Sequence, residues 1–231
     1  SVAAKTTRPF YLINETTAEV KVSASYLFGK PVGRGKVRII RERGRNDILD
    51  SDEKSVEGET DDQGSFTGNL DLTEAADSLK DDDTRMYVDL TFAAYFTDPT
   101  TNRTQQKRFD VRVSRQAINV RFIRQAVDPN PDVPYRFYVT AFYPDGTPAQ
   151  CDIRVEGNYR DTNLVSKLGD TRTNSYGAAK FEIKFPQKAF PEGLPDFNFR
   201  ILADDGKGRA GSLITRLNVA ENNNQIFLKT D

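Results

Sequence analysis

The chain states one structural phrase twice, and that repetition limits its folds more than any other feature. Glu19-Val-Lys-Val-Ser-Ala-Ser-Tyr-Leu-Phe-Gly-Lys-Pro31, followed by Val37-Arg-Ile39, returns about 117 residues later. There it reads Arg136-Phe-Tyr-Val-Thr-Ala-Phe-Tyr-Pro-Asp-Gly-Thr-Pro148, followed by Ile153-Arg-Val155. Each copy is an alternating strand, a Gly-x-Pro turn and a second alternating strand. A period of this length matches one β-sandwich, so the repeat predicts a duplicated domain and not a solenoid. Each half is long enough to bury its own core without disulfide staples.

Apolar residues recur with period two nearly throughout. Val20, Val22, Ala24 and Tyr26 alternate with Lys21, Ser23 and Ser25; Phe137, Val139 and Ala141 with Tyr138, Thr140 and Phe142; Phe181, Ile183 and Phe185 with Lys180, Glu182 and Lys184; Phe197, Phe199 and Ile201 with Asn198, Arg200 and Leu202. Antiparallel strands with one dry and one wet face give this pattern. Turn signals punctuate it at Gly29-Lys-Pro31, Asp62-Gln-Gly64, Asp98-Pro99, Pro144-Asp-Gly146 and Asp205-Gly206. One short helix is predicted over Leu72–Leu79, with Thr73 as N-cap and Leu72, Ala76 and Leu79 on one side, crossing between sheets.

The duplication continues past the hairpin. Thr60-Asp-Asp-Gln-Gly64-Ser-Phe66 aligns with Thr173-Asn-Ser-Tyr-Gly177-Ala-Ala-Lys-Phe181, each a Thr, polar residues, a Gly suited to positive φ and a strand with an inward aromatic. Met86–Phe96 corresponds to Phe197–Ala203, and Gln105–Val113 to Gly211–Val219. The boundary falls at Ser114–Asn119, giving domains over 1–116 and 117–231. The tail Asn222–Thr230 reads as a polar joint and the start of a further strand. The expected class is all-β: two tandem immunoglobulin-like antiparallel sandwiches, abutting without a Gly/Ser linker. The N-terminal Ser1-Val-Ala-Ala shows neither Met nor a leader, so the chain reads as an excised fragment.

Composition excludes much chemistry. There is no histidine, which removes Ser-His-Asp, Cys-His and two-His-one-carboxylate sites. The single cysteine, Cys151, permits no intramolecular disulfide and no Cys-rich metal site. The net charge of −1 favours neither nucleic acid nor an anionic membrane, and no apolar run is long enough for a membrane-spanning helix. Charge is uneven, however. Residues 42–83 hold fifteen acidic and four basic side chains, and residues 102–124 seven basic and one acidic. Solvated loops and strand faces explain both; docking patches are the sharper reading, with Arg112, Arg115 and Arg121 as the basic candidates.

The motifs resemble a known family. Pro9-Phe-Tyr-Leu-Ile-Asn-Glu-Thr-Thr-Ala-Glu-Val-Lys-Val22, then Tyr26-Leu-Phe-Gly-Lys-Pro-Val32, is similar to a macroglobulin-type domain of the α2-macroglobulin family. Val127-Asp-Pro-Asn-Pro-Asp-Val-Pro-Tyr135, Pro144-Asp-Gly-Thr-Pro148 and Thr173–Gly177 follow in the order of the next such domain. The pair resembles the third and fourth macroglobulin domains of a full-length member, though Pro129-Asn-Pro131 replaces the usual glycine of the second lead-in. The resemblance implies macroglobulin-type seven-stranded sandwiches used as non-catalytic scaffold in a protease-trapping inhibitor. Vertebrate members are generally disulfide-bonded here, so it implies a bacterial, extracytoplasmic member, in the periplasm or at the cell surface. Partners would be neighbouring domains of the parent chain and, through the parent, proteases. The family's Cys-x-Glu-Gln thioester run does not carry over, because Cys151 is followed by Asp152-Ile-Arg154.

No catalytic, cofactor or metal residue is assigned, and the chain is read as not an enzyme. Asp50-Ser-Asp52-Glu53, Asp81-Asp-Asp83 and Asp204-Asp205 offer hard oxygen ligands for calcium, with solvated loops as the simpler reading. Asn14-Glu-Thr16 and Asn102-Arg-Thr104 match glycosylation acceptors at near-chance frequency. Tyr26, Phe28, Phe142 and Tyr143 are expected to close the ends of the cores, with an exposed binding patch as the alternative. The runner-up function is an immunoglobulin-like pair from a bacterial surface adhesin.

Overall fold

The computed structural model describes residues 1–42, 55–82, 84–124, 134–159, 165–183 and 196–218. The chain divides into two compact units, Ser1–Arg115 and Gln116–Asp231. In the first, strands β1 (Val2–Thr6), β3 (Thr17–Ala24) and β6 (Ser65–Asp71) form one sheet in the order β1-β3-β6. The opposing sheet runs β2-β8-β7-β4-β5, from β2 (Tyr11–Leu12), β4 (Lys36–Arg41), β5 (Val56–Glu59), β7 (Tyr87–Thr97) and β8 (Thr104–Ser114). Pairing is antiparallel except for the two-residue β2, which lies parallel to β8 at Tyr11↔Val113.

The second unit repeats this wiring. β9 (Asn119–Arg124), β10 (Tyr135–Phe142) and β13 (Ala178–Ile183) form the sheet β13-β10-β9. β11 (Asp152–Tyr159), β12 (Val165–Arg172), β14 (Asp196–Asp204) and β15 (Ala210–Asn218) form β12-β11-β14-β15. The strands thus correspond as β1/β9, β3/β10, β4/β11, β5/β12, β6/β13, β7/β14 and β8/β15. The all-β reading holds; the two-residue β2 and one helix are the further elements described in the first unit.

The period-two residues do what their spacing dictates. In β3 every second side chain is buried, and Ala18, Val20, Val22 and Ala24 meet Val37, Ile39, Leu90, Ala94, Phe96, Val111 and Val113 of the facing sheet. In the second unit Phe137, Val139 and Ala141 meet Ile153, Val155, Phe199, Ile201 and Ala203. Phe137 is the hub there, with ring centroids 5.1 Å from Phe122, 5.1 Å from Phe181 and 5.5 Å from Phe199. The corresponding residue of the first unit is Val20, so one core is aliphatic where the other is aromatic.

Helix α1 (Thr73–Asp81) does cross from one sheet to the other, burying Ala75, Ala76 and Leu79. Its N-cap differs from expectation. Thr73 is already helical and Leu72 holds the cap position; the carboxylate of Asp71 accepts from the Thr73 amide at 2.9 Å instead. An acidic side chain two residues upstream thereby satisfies an orphan donor of the first turn.

The repeated Thr-x-x-x-Gly is the joint of each sandwich. Thr60 and Thr173 are buried polar residues. Thr60 Oγ1 donates to the Val32 carbonyl at 2.8 Å and accepts from the Gly35 amide at 2.9 Å. Thr173 Oγ1 donates to the Ala149 carbonyl at 2.7 Å and accepts from the Cys151 amide at 2.8 Å. Four residues later Gly64 (φ 69) and Gly177 (φ 72) turn back under the first strand, where their carbonyls receive the amides of Ala24 and Ala141, each at 2.8 Å. A Cβ on Gly64 would stand 2.4 Å from the Ala24 carbonyl oxygen, and one on Gly177 2.3 Å from that of Ala141. Left-handed φ and close backbone approach both require glycine here.

The alignment beyond this joint needs one correction. Phe66 and Phe181 are not equivalent: Phe66 pairs with Val22, and the residue opposite the corresponding Val139 is Ala179. Phe181 sits two residues further along its strand, opposite Phe137. The lead-in Val127–Val133 and the tail Asn222–Thr230 lie outside the described residues.

Replacing Thr173 by Val keeps the shape and removes the hydroxyl that serves two buried backbone groups. Thr173→Val should cost about 1–3 kcal/mol, read by urea unfolding, while Thr173→Ser recovers most of the loss. A loss below about 0.5 kcal/mol, the level of ordinary surface changes, would refute the joint's role.

Candidate functional site

Several of the residues singled out from the sequence have a structural employment. The Cys151 side chain is fully buried in the second core. Burial pushes its thiol up, and the carboxylates of Asp152 and Asp205 push the same way, against a lowering contact from Thr173 Oγ1. A thiol held protonated and out of reach is not a nucleophile. Its place is explained by the duplication. Gly35 holds the matching position in the first unit, where a Cβ would stand 2.1 Å from the Phe96 ring. The second unit has Ala203 in place of Phe96, which leaves room for the larger residue at 151.

The acidic clusters divide. Asp50, Asp52, Glu53 and Asp83 lie outside the described residues. Asp82 is a local acceptor, taking the Thr84 amide at 3.0 Å and its hydroxyl at 2.6 Å. Asp204 accepts from the Gly206 amide at 2.7 Å. Asp205, buried, accepts from the amides of Lys207 at 2.8 Å and Arg209 at 3.1 Å, and from Tyr143 Oη at 2.9 Å. Carboxylates already engaged with amides close turns. Among the described residues no three His, Cys, Asp or Glu side chains gather as a metal site would require.

The basic segment is similarly engaged. Arg112 forms a two-pronged pair with Asp89, both bonds at 2.7 Å, and its guanidinium lies 4.0 Å from the Tyr87 ring centroid. Arg108 pairs with Glu42 at 2.6 Å. Arg115 turns inward and donates to the carbonyls of Leu79, at 2.8 Å, and Asp82, at 2.7 Å. A cation placed on the last carbonyls of a helix satisfies them and complements the dipole. Of the three arginines proposed for docking, Arg121 alone is exposed; it lies on β9 opposite Thr140.

The aromatics split between the two readings. Tyr143 is half-buried against the second core, its hydroxyl on Asp205 and the Arg209 guanidinium 4.8 Å from its ring centroid. Tyr26 packs against the first core. Phe28 does not close an end: it is 80% exposed and Leu27 beside it 97% exposed. Sequence reasoning passed over Leu27 because a lone apolar residue at a turn carries no periodic signal. Asn14 and Asn102 are exposed, the latter at φ 54.

Comparison with known proteins adds one family. Residues 1–78 match the family model for macroglobulin domain MG3. This bears out the resemblance to the α2-macroglobulin family over the first part of the chain. No curated protein sequence matches. Solved structures with a likeness include the integrin-binding bacterial protein invasin, at 11% identity and TM-score 0.33, covering 96% of this chain and 40% of that one. Trypsin-activated α2-macroglobulin from Escherichia coli is similar at 12% identity and TM-score 0.37, over 94% of this chain and 15% of that one. Its native conformation is similar at 13% identity and TM-score 0.34, over 95% and 14%. The chain therefore spans less than half of each of these proteins, and likeness at this level does not bear on function.

Two outcomes follow from the geometry. The Asp205 carboxyl is opposed by burial, which raises it, but the amides of Lys207 and Arg209 and the Tyr143 hydroxyl hold it below the ordinary carboxylate value. Its stabilisation is therefore present above about pH 4 and is lost as the pH falls through the lower folded value. The stability gap between the parent chain and Asp205→Ala, read by urea unfolding, should shrink steadily below about pH 4; a constant gap would contradict this. Second, Arg115→Met should destabilise by about 1.5–3 kcal/mol, whereas Arg121→Glu should stay within about 0.5 kcal/mol. Equal effects in thermal melts would overturn the division of roles.

Proposed function

We propose that this chain, whose residues 1–78 carry a macroglobulin domain, is a scaffold segment of a bacterial α2-macroglobulin-type protease inhibitor. Macroglobulin domains are a non-catalytic scaffold family and belong to larger multidomain chains. The match over residues 1–78 is the observation that carries the reading. The geometry accords with it: two separately cored sandwiches, the lone thiol buried, and Asp82, Asp204 and Asp205 engaged in turns. In this reading the two units, with domains at 1–116 and 117–231, are rigid spacers whose faces meet neighbouring domains. They would hold a cleavable segment elsewhere in the polypeptide and move when it is cut. Location would be extracytoplasmic. No helix among the described residues is long and apolar enough to cross a membrane.

The test uses the complete polypeptide and trypsin. Limited cleavage should change its sedimentation and leave the protease bound, active on a small chromogenic ester but not on casein. The 231-residue chain alone should leave trypsin unaffected. A complete polypeptide that is cut without changing shape, and that instead adheres to host cells through repeated units of this kind, would overturn the inhibitor reading in favour of an adhesin.

A further inference from the structure

The Gly-x-Pro turn occurs twice on one backbone and differs at its tip. In the first unit Gly29 (φ 84) closes it, with the Tyr26 amide on the Lys30 carbonyl at 2.8 Å and the Gly29 amide on the Tyr26 carbonyl at 2.9 Å. In the second, Gly146 (φ 88) and Tyr143 make the same two bonds, each at 2.9 Å. At the tip the second unit carries a buried Pro144, and Asp145, whose carboxylate takes the Thr147 amide at 2.9 Å and hydroxyl at 2.6 Å. The first unit carries Leu27 and Phe28, 97% and 80% exposed. The turn forms as well with proline and aspartate at its tip, so Leu27 and Phe28 are not there to make it.

The tip is also held firmly. The Phe28 ring stacks on Tyr26 at 5.7 Å between centroids, and Tyr26 packs on the core. Pro31 bridges back to Ser25 and packs above Gly64. A pre-ordered aromatic anchor loses little entropy on binding. Its reach is limited by size. Two such side chains present about 400 Å² at most, against roughly 800 Å² per partner in a stable complex of separate proteins. A contact that small holds only what is already tethered, at the millimolar effective concentration of a shared chain.

We infer that Leu27 and Phe28 form a plug that docks into an apolar pocket on another domain of the same longer polypeptide, outside these 231 residues. The inference rests on the scaffold reading above and assigns that scaffold one of its contacts.

Leu27→Cys places a thiol beside the intact Phe28, and buried Cys151 supplies little background. Its alkylation by iodoacetamide is followed peptide by peptide in mass spectra. In the 231-residue chain it should react as a free thiol. In the complete polypeptide it should react at least tenfold more slowly, and adding Phe28→Asp, which copies Asp145, should restore the fast rate. Equal rates in both chains would overturn the plug while leaving protease trapping, measured separately, untouched. Slowing of the 231-residue chain by phosphatidylcholine vesicles would overturn it in favour of a lipid surface. A melting temperature for Phe28→Asp in the 231-residue chain lowered well beyond the small loss expected from one exposed ring stack would overturn it by making the ring part of the fold.

Discussion

A buried threonine hydroxyl, used once in each unit, ties the two sheets of a sandwich together at the point where the chain leaves one for the other. The residues it binds, Val32 and Gly35 or Ala149 and Cys151, sit where the Gly-x-Pro turn feeds the second sheet. The glycine four positions on then returns the chain beneath the first sheet. A hydroxyl can donate and accept at once, and a buried backbone group without a partner is costly. Asp61 and Asn174 complete the joint, each accepting two amides of its own tight turn, from Gln63 and Ser65 or from Tyr176 and Ala178. Asp and Asn are interchangeable there because only the acceptor oxygen is used. Loop length may vary around this joint: Arg34, at φ 58, lies where the first unit carries one residue more than the second.

With the joint fixed, the two interiors are filled by different sets of side chains. Phe66 lies over Gly58, where a Cβ would come within 2.2 Å of its ring. In the second unit the aromatic has moved two residues along the strand to Phe181, and the glycine facing it is Gly169, likewise displaced along the edge strand. Gly35 with Phe96 becomes Cys151 with Ala203. Close packing punishes a change of size at one partner alone, so these substitutions come in pairs. The lone cysteine is one half of such a pair.

This explains what could be read from the sequence. The inward rows Val20-Val22-Ala24 and Phe137-Val139-Ala141 state their own period, and the Thr-x-x-x-Gly repeat locates the joint without saying what the hydroxyl does. Strands β5 and β12 escaped because Val56–Glu59 and Val165–Arg172 are polar edge strands, in which a single dry face leaves a faint trace. The equation of Phe66 with Phe181 failed because residue type was matched where register decides. Thr73 is the residue type that usually caps, whereas Asp71 reaches the helix from outside it. Arg115 looked like one more charge in a basic run; only its geometry shows it closing α1.

The same comparison separates fold from function on the surface. Where both units need a residue, they keep it: glycine at 29 and 146, proline at 31 and 148, threonine at 60 and 173. Where they differ without compensation, the fold is indifferent and another requirement acts. The outer row Lys5-Lys21-Thr67 of the first unit stands where the second has Ile123-Tyr138-Lys180, on the same cross-strand register. Ile123 and Tyr138, on paired strands, are 48% and 37% exposed. Leu27 and Phe28 project from a turn, 97% and 80% exposed, with Phe28 touching only its neighbour Tyr26 among the ring contacts described. Exposure of that degree, on a turn whose twin manages with proline and aspartate, costs solvation and returns no stability to the unit itself. The plug inferred for this tip would offset that cost from outside the sandwich that carries it.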